Sequence, residues 1–227
     1  MSDERLRRLE RNVAMGDTVA RAKLLAERVR AHHVTVERVR LAAYAGDAAA
    51  RDFLGADTPT APAKTKPFAL GLAIFGKEAG VAAAIGAASA LVPLMKELRD
   101  ERPPVALETA RAWLHCPCDE NRRKAAAALW DTMQEPDLLV VTAANNAALA
   151  TSRLDRTEGE RARATKLAAK DAAAAAWNAL WFRREPRLVS DALRSTMESV
   201  DETAIRAAME RALRAFALGD MASDRGE

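Results

Sequence analysis

Residues 201–218 read DETAIRAAMERALRAFAL, and this stretch decides the fold class. Ile205, Ala208, Met209, Ala212, Leu213 and Phe216 recur three and four residues apart, which lines them along one face of an α-helix. Asp201 precedes the run, where a carboxylate can accept a hydrogen bond from a first-turn backbone N–H. The same grain, alanine-rich and broken at intervals by Pro, Gly or a capping residue, extends over the rest of the chain.

At the N-terminus Leu6, Leu9 and Val13 predict an amphipathic helix ending near Gly16. Asp17 or Thr18 can cap a second, with Leu24, Leu25 and Val29 inward. Thr35 can cap a third, in which Val36, Val39 and Ala43 share a face, and Gly46 stops it. Asp47 restarts a short helix through Phe53 and Leu54 that Gly55 closes. Residues 55–67 carry Pro59, Pro62 and Pro67 and read as an extended connection.

Residues 68–95 are the most apolar part. Lys77 and Glu78 interrupt the run, and its second half is largely Ala and Gly, so it falls short of a spanning helix of about 20 apolar residues. Ala79, Ala83 and Ala87, four apart, permit close backbone approach, and the expectation is a buried hairpin rather than a membrane segment. Pro103 and Pro104 suit a first turn, followed by a stripe of Leu107, Ala110, Trp113 and Leu114. A helix over 119–133 turns Ala126, Leu129, Trp130 and Met133 inward and breaks at Pro136. In 138–149, Val140, Val141 and Thr142 raise a strand reading that the alanines beyond them outweigh. Asn145 and Asn146 stand within that apolar helix, either as a polar bundle contact or facing solvent. Thr157 and Glu160 form a capping box at the head of a long helix through Trp177 and Trp181. The reading is all-α, an irregular multi-helix bundle or short α-solenoid-like array of about eleven helices. In domain terms, 1–54 form an N-terminal helical segment packed as one unit with a main helical domain, 68–219, and 220–227 form a disordered tail.

Composition limits the function. Hydrophobic residues at 49% and charged residues at 30% describe a globular chain rather than a disordered one. The 35 Lys and Arg are interleaved with 32 Asp and Glu, whereas tracking phosphates needs a basic block, so the charge pattern argues against a nucleic-acid partner. The charged start MSDERLRRLERNV lacks an apolar core and is no secretory signal, and two cysteines one residue apart provide no disulfide framework. The expected location is a reducing cytoplasm. Phosphate loops, nucleophile elbows, HExxH and dinucleotide fingerprints are absent from the sequence.

One cluster carries reactive side chains: His115-Cys116-Pro117-Cys118-Asp119-Glu120, between two helices. His115, Cys116, Cys118 and Asp119 are zinc-ligand types, but a structural zinc site draws its ligands in pairs from separate elements. The other histidines are His32 and His33, and no second cysteine pair exists. The simpler reading is a tight corner in which Pro117 starts a helix, Asp119 and Glu120 complement its dipole, and no cofactor is needed. His32 and His33 follow Arg28 and Arg30 as ordinary cations at a helix end. Trp177 and Trp181, four apart, suit either a core or a partner groove.

ERVRLAAYAGDAAARDFLG (37–55) and ARAWLHCPCDENRRKAAAA (110–128) carry a resemblance. Together they resemble a group of uncharacterised bacterial helical proteins that pair an LAAYxGDxxAR-type element with a WLxCPCxE-type element. The resemblance covers about a sixth of the chain and implies no activity; it implies that 1–54 and 68–219 act as one functional unit. The expectation is a non-enzymatic scaffold or adaptor that binds a protein partner or forms a homo-oligomer. The alternative is a small metal- or thiol-dependent enzyme or sensor centred on Cys116 and Cys118.

Overall fold

A computed structural model of the chain describes residues 3–92, 102–133, 139–182 and 200–219. Among them are eleven α-helices and no strand: α1 (Asp3–Ala14), α2 (Thr18–Arg30), α3 (Val36–Tyr44), α4 (Ala48–Leu54), α5 (Thr65–Gly71), α6 (Lys77–Ser89), α7 (Arg102–His115), α8 (Asp119–Met133), α9 (Leu139–Ser152), α10 (Glu158–Phe182) and α11 (Glu202–Leu218). The chain is all-α. Residues 138–149 are helical from Leu139, and no helix among the described residues is long and apolar enough to cross a membrane. The tail 220–227 and Pro136 lie outside the described residues.

The chain divides into two compact units, one running to Ala61 and resuming at Leu213, the other from Pro62 to Ala212. The first unit is built on a repeated way of ending helices. After α1, Gly16 (φ 85°) donates its N–H to Val13 O, and Asp17 donates to Asn12 O. After α3, Gly46 (φ 88°) donates to Ala43 O, and Asp47 to Ala42 O. Both are Schellman caps, in which the left-handed residue turns the chain back onto otherwise orphaned carbonyls. His32 ends α2 with the same pair of bonds, to Val29 O and, from His33, to Arg28 O, at φ 57° without being glycine. The capping residues that follow are as expected: Asp17 accepts from Val19 and Ala20, Thr35 from Arg38, Asp47 from Ala50. Asp47 also holds Arg21 at 2.7 Å, joining α2 to the head of α4. Leu24, Leu25, Val39, Leu41 and Tyr44 are buried with Leu213 and Leu218 in this unit's core. Val36, expected inward, is 43% exposed, because as the first residue of α3 it projects beyond the packed face that Val39 and Ala43 share.

In the second unit α6 is the axis, buried from Ala79 through Ala88 and packed on by α7, α9 and α10. Its small residues set the approach. A Cβ at Gly80 would stand 2.7 Å from the backbone carbon of Ala168 on α10, and one at Gly86 2.7 Å from Ala208 O on α11. At these two positions, beside the alanine stripe, the neighbouring backbone stands closer than an added Cβ permits. The 55–67 connection is shorter than expected, since a 3-10 turn covers Gly55–Asp57 and α5 begins at Thr65. Pro67 sits in the first turn of α5, where its missing N–H has no helical partner to lose. The Thr65 N–H donates to Glu202 Oε1 at 3.2 Å, and Arg206 donates to Pro62 O at 2.9 Å while lying 3.4 Å from the Phe68 ring centroid. On α8 the buried positions are Ala125 and Ala128, with Ala126 and Leu129 only half-buried, a small rotation from the expected face; the Trp130 and Met133 side chains lie outside the described residues. Asn146 turns its amide back to Thr142 O at 2.9 Å, and Asn145 Oδ1 is buried with no hydrogen-bond partner among the described residues.

Candidate functional site

At one end of the second unit, four pieces of chain meet: the head of α6, the foot of α7, the Cys-Pro-Cys corner with the head of α8, and residues 153–157 between α9 and α10. Each is tied to the next by a named contact. Lys77, the first residue of α6, is 2% exposed. Its Nζ donates to Arg153 O at 2.6 Å and Asp155 Oδ2 at 3.2 Å, and lies 4.3 Å from the Trp113 ring centroid. Burial pushes this ammonium below its ordinary value, while the Asp155 carboxylate works to hold it up. Beside it, Arg153 grips Asp171 through both Nε (3.3 Å) and Nη2 (3.2 Å). Burial raises the Asp171 carboxyl above the ordinary carboxylate range, against the pull of Arg153.

The corner is fixed from both sides. The last bonds of α7 bring the Cys116 N–H to Ala112 O at 3.0 Å, and the Cys118 N–H donates to Cys116 O at 2.8 Å. That i to i+2 bond closes Pro117 into a γ-turn, a conformation that proline's fixed φ suits. Asn121 reaches back from α8, its Nδ2 donating to Ala112 O at 3.2 Å and Cys116 O at 3.0 Å, and so satisfies carbonyls that the end of α7 leaves open. Cys118 O accepts the Arg122 N–H at 3.0 Å, placing Cys118 at the N-cap of α8. Both cysteines are free thiols, Cys116 exposed and Cys118 half-buried. The Asn121 backbone N–H, and then the Cys116 thiol, hold Cys118 below the usual thiol value; the hydrogen bond to Cys118 lifts Cys116 above it.

Asp119 takes Arg122 at 3.1 Å and Arg156 at 2.8 Å, so the head of α8 is pinned to the loop that also supplies Asp155 to Lys77. Glu120 pairs with Lys124 at 2.8 Å. These contacts assign the four candidate zinc ligands different surroundings: Cys116 and Cys118 come together across Pro117, Asp119 is engaged by two guanidinium groups, and His115 is an exposed last residue of α7. Among the described residues no three His, Cys, Asp or Glu side chains are gathered so as to hold a metal ion.

In the sequence Lys77 stood out only as an interruption of the apolar run and Trp113 only as part of a buried stripe, while Arg153 and Asp171 did not stand out at all. A signal existed: a lysine opening a buried Ala/Gly helix must find partners for its charge, and those partners must come from elsewhere in the chain. Trp177, on α10, is 52% exposed, while its neighbours Ala172, Ala175, Ala176 and Ala179 are buried. The Trp181 side chain lies outside the described residues.

Lys77 has the chemistry of a nucleophile but not the access, because a substrate would have to displace the Trp113 ring, a backbone carbonyl and a carboxylate to reach it. Its arrangement fastens helix ends, and the Arg153–Asp171 pair fastens the end of α9 to the middle of α10. The thiols do open to solvent, Cys116 more than Cys118. Comparison with known proteins finds no matching family model, no matching curated protein and no matching solved structure.

Proposed function

We propose that this chain is a non-enzymatic helical scaffold or adaptor, working in a reducing cytoplasm, that binds a protein partner or a second copy of itself. The exposure of Trp177 carries this reading. A tryptophan half in water on the longest of the described helices, among buried alanines, offers a large rigid contact of the kind that dominates protein interfaces. The closely packed α6 and the fastened helix ends support it by giving that surface a stiff base. The test is affinity capture from the native extract, run beside sedimentation of the purified chain, with wild-type protein and Trp177→Ala. Capture or self-association should weaken by about tenfold or more in the variant, as for an interface hot spot, with an unchanged helical spectrum. Equal binding by both chains would refute the assignment of Trp177.

A further inference from the structure

The γ-turn at Pro117 does what an extended Cys-x-Cys segment does not. By folding Cys118 N–H onto Cys116 O at 2.8 Å it draws the two Cα atoms together, toward the range of about 4.4–6.8 Å in which a disulfide closes. Asn121 locks that turn from α8 through Cys116 O and Ala112 O, so the backbone that brings the two cysteines near each other is built into the fold. Cys116 is exposed and Cys118 half-buried, and the charged neighbours Asp119 and Glu120 are already paired with Arg122, Arg156 and Lys124. We propose that Cys116 and Cys118 form a thiol–disulfide exchange site for small-molecule disulfides of the glutathione class.

The division of labour follows from position. Cys118 Sγ, at the N-cap of α8 where the helix N-terminus favours a thiolate, attacks one sulfur of the disulfide RSSR. A Cys118–SR bond forms, the RS–SR bond breaks, and the departing thiolate takes a proton from water. Cys116 then gives up its thiol proton to solvent and attacks Cys118 Sγ, forming the Cys116–Cys118 disulfide and expelling the second RS⁻, which is protonated. In total two protein thiols and one RSSR become one protein disulfide and two RSH, so the protein loses two electrons and the small disulfide gains them. A bridge across one residue closes a short ring, and such strained disulfides are the readily reduced, exchanging kind rather than structural ones. The site therefore follows the surrounding thiol–disulfide balance.

The probe is oxidised glutathione, added to the folded full-length chain, with acid quench and mass spectrometry. Wild type should pass through a mixed disulfide at Cys118 to an internal disulfide. Cys116→Ser should stop at a stable Cys118 adduct. Cys118→Ser should react at Cys116 at least about threefold more slowly than Cys116→Ser reacts at Cys118, a contrast that vanishes when both chains are unfolded in guanidinium chloride. Should a serine variant misfold, the wild-type arm decides alone. Wild type that accumulates adducts on either cysteine without closing the bridge, or that resists glutathione altogether, would overturn the proposal.

Discussion

Lys77 Nζ lies 4.3 Å from the centroid of the Trp113 ring and 2.6 Å from Arg153 O, so a cation at the head of α6 is held by the foot of α7 and the end of α9 together. Truncation separates a structural fastening from a chemical role. Lys77→Ala removes the packing stem and leaves the Arg153 carbonyl unpaired, and it should lower stability by about 2–4 kcal/mol. Lys77→Met keeps the stem and should lose about half as much. Urea unfolding monitored by circular dichroism measures both. Lys77→Ala unfolding at the wild-type midpoint would show that the contacts contribute nothing.

Glycine within a helix ordinarily makes it weaker than alanine by about 1 kcal/mol. At Gly80 the sign should reverse. The added methyl would meet the Ala168 backbone at 2.7 Å, and backbone cannot step aside as a flexible side chain can. Gly80→Ala should destabilise by about 1–3 kcal/mol, whereas Gly159→Ala, with nothing within 4 Å of the new Cβ, should not. Melting temperatures of the two variants give the comparison, and a stabilised Gly80→Ala would contradict the packing of α6 on α10.

His32 occupies a left-handed position that glycine fills after α1 and α3. His32→Gly relieves the Cβ crowding and should raise stability by about 0.5–1 kcal/mol, net of the added freedom of the unfolded chain. His32→Val should do the opposite, since a branched side chain tolerates φ near 57° poorly. Denaturant midpoints check both directions.

Asp171 gives a pH signature. Its burial raises the folded-state value, so the native chain binds this proton more readily than the unfolded chain does. The contribution is therefore present in full below the unfolded value of about 3.9 and is lost as pH rises through the folded value. Compared between about pH 4 and about pH 7, the stability difference should move in favour of Asp171→Asn as pH rises. A difference that moves the other way would mean that Arg153 outweighs burial.

Helix boundaries were readable where local chemistry sets them. Asp17, Thr35, Asp47, the Thr157–Glu160 box and Asp201 all cap as their sequence positions imply, the box reciprocally at 3.0 and 3.1 Å. What was not readable depends on partners distant in sequence. Lys77 meets Arg153 and Asp155 across the whole of α7, α8 and α9, and nothing in the local pattern around Lys77 names them. The Cys-Pro-Cys corner was legible as a corner. That it folds into a γ-turn held by Asn121 was not, because a side chain reaching back five residues to a carbonyl leaves no periodic mark. Gly80 and Gly86 were hidden by the alanine stripe beside them, whose spacing is the same kind of signal.

Amide hydrogen exchange along α10 tests most directly whether the Trp177 face is where this chain meets another. Exchange is followed on the dilute chain and on its assembled form, whether self-associated or bound to the captured partner. Peptides containing Trp177 should slow markedly on assembly, and Trp177→Ala should neither assemble to the same extent nor show the slowing. Protection confined to other helices, with Trp177→Ala assembling as readily as wild type, would contradict it.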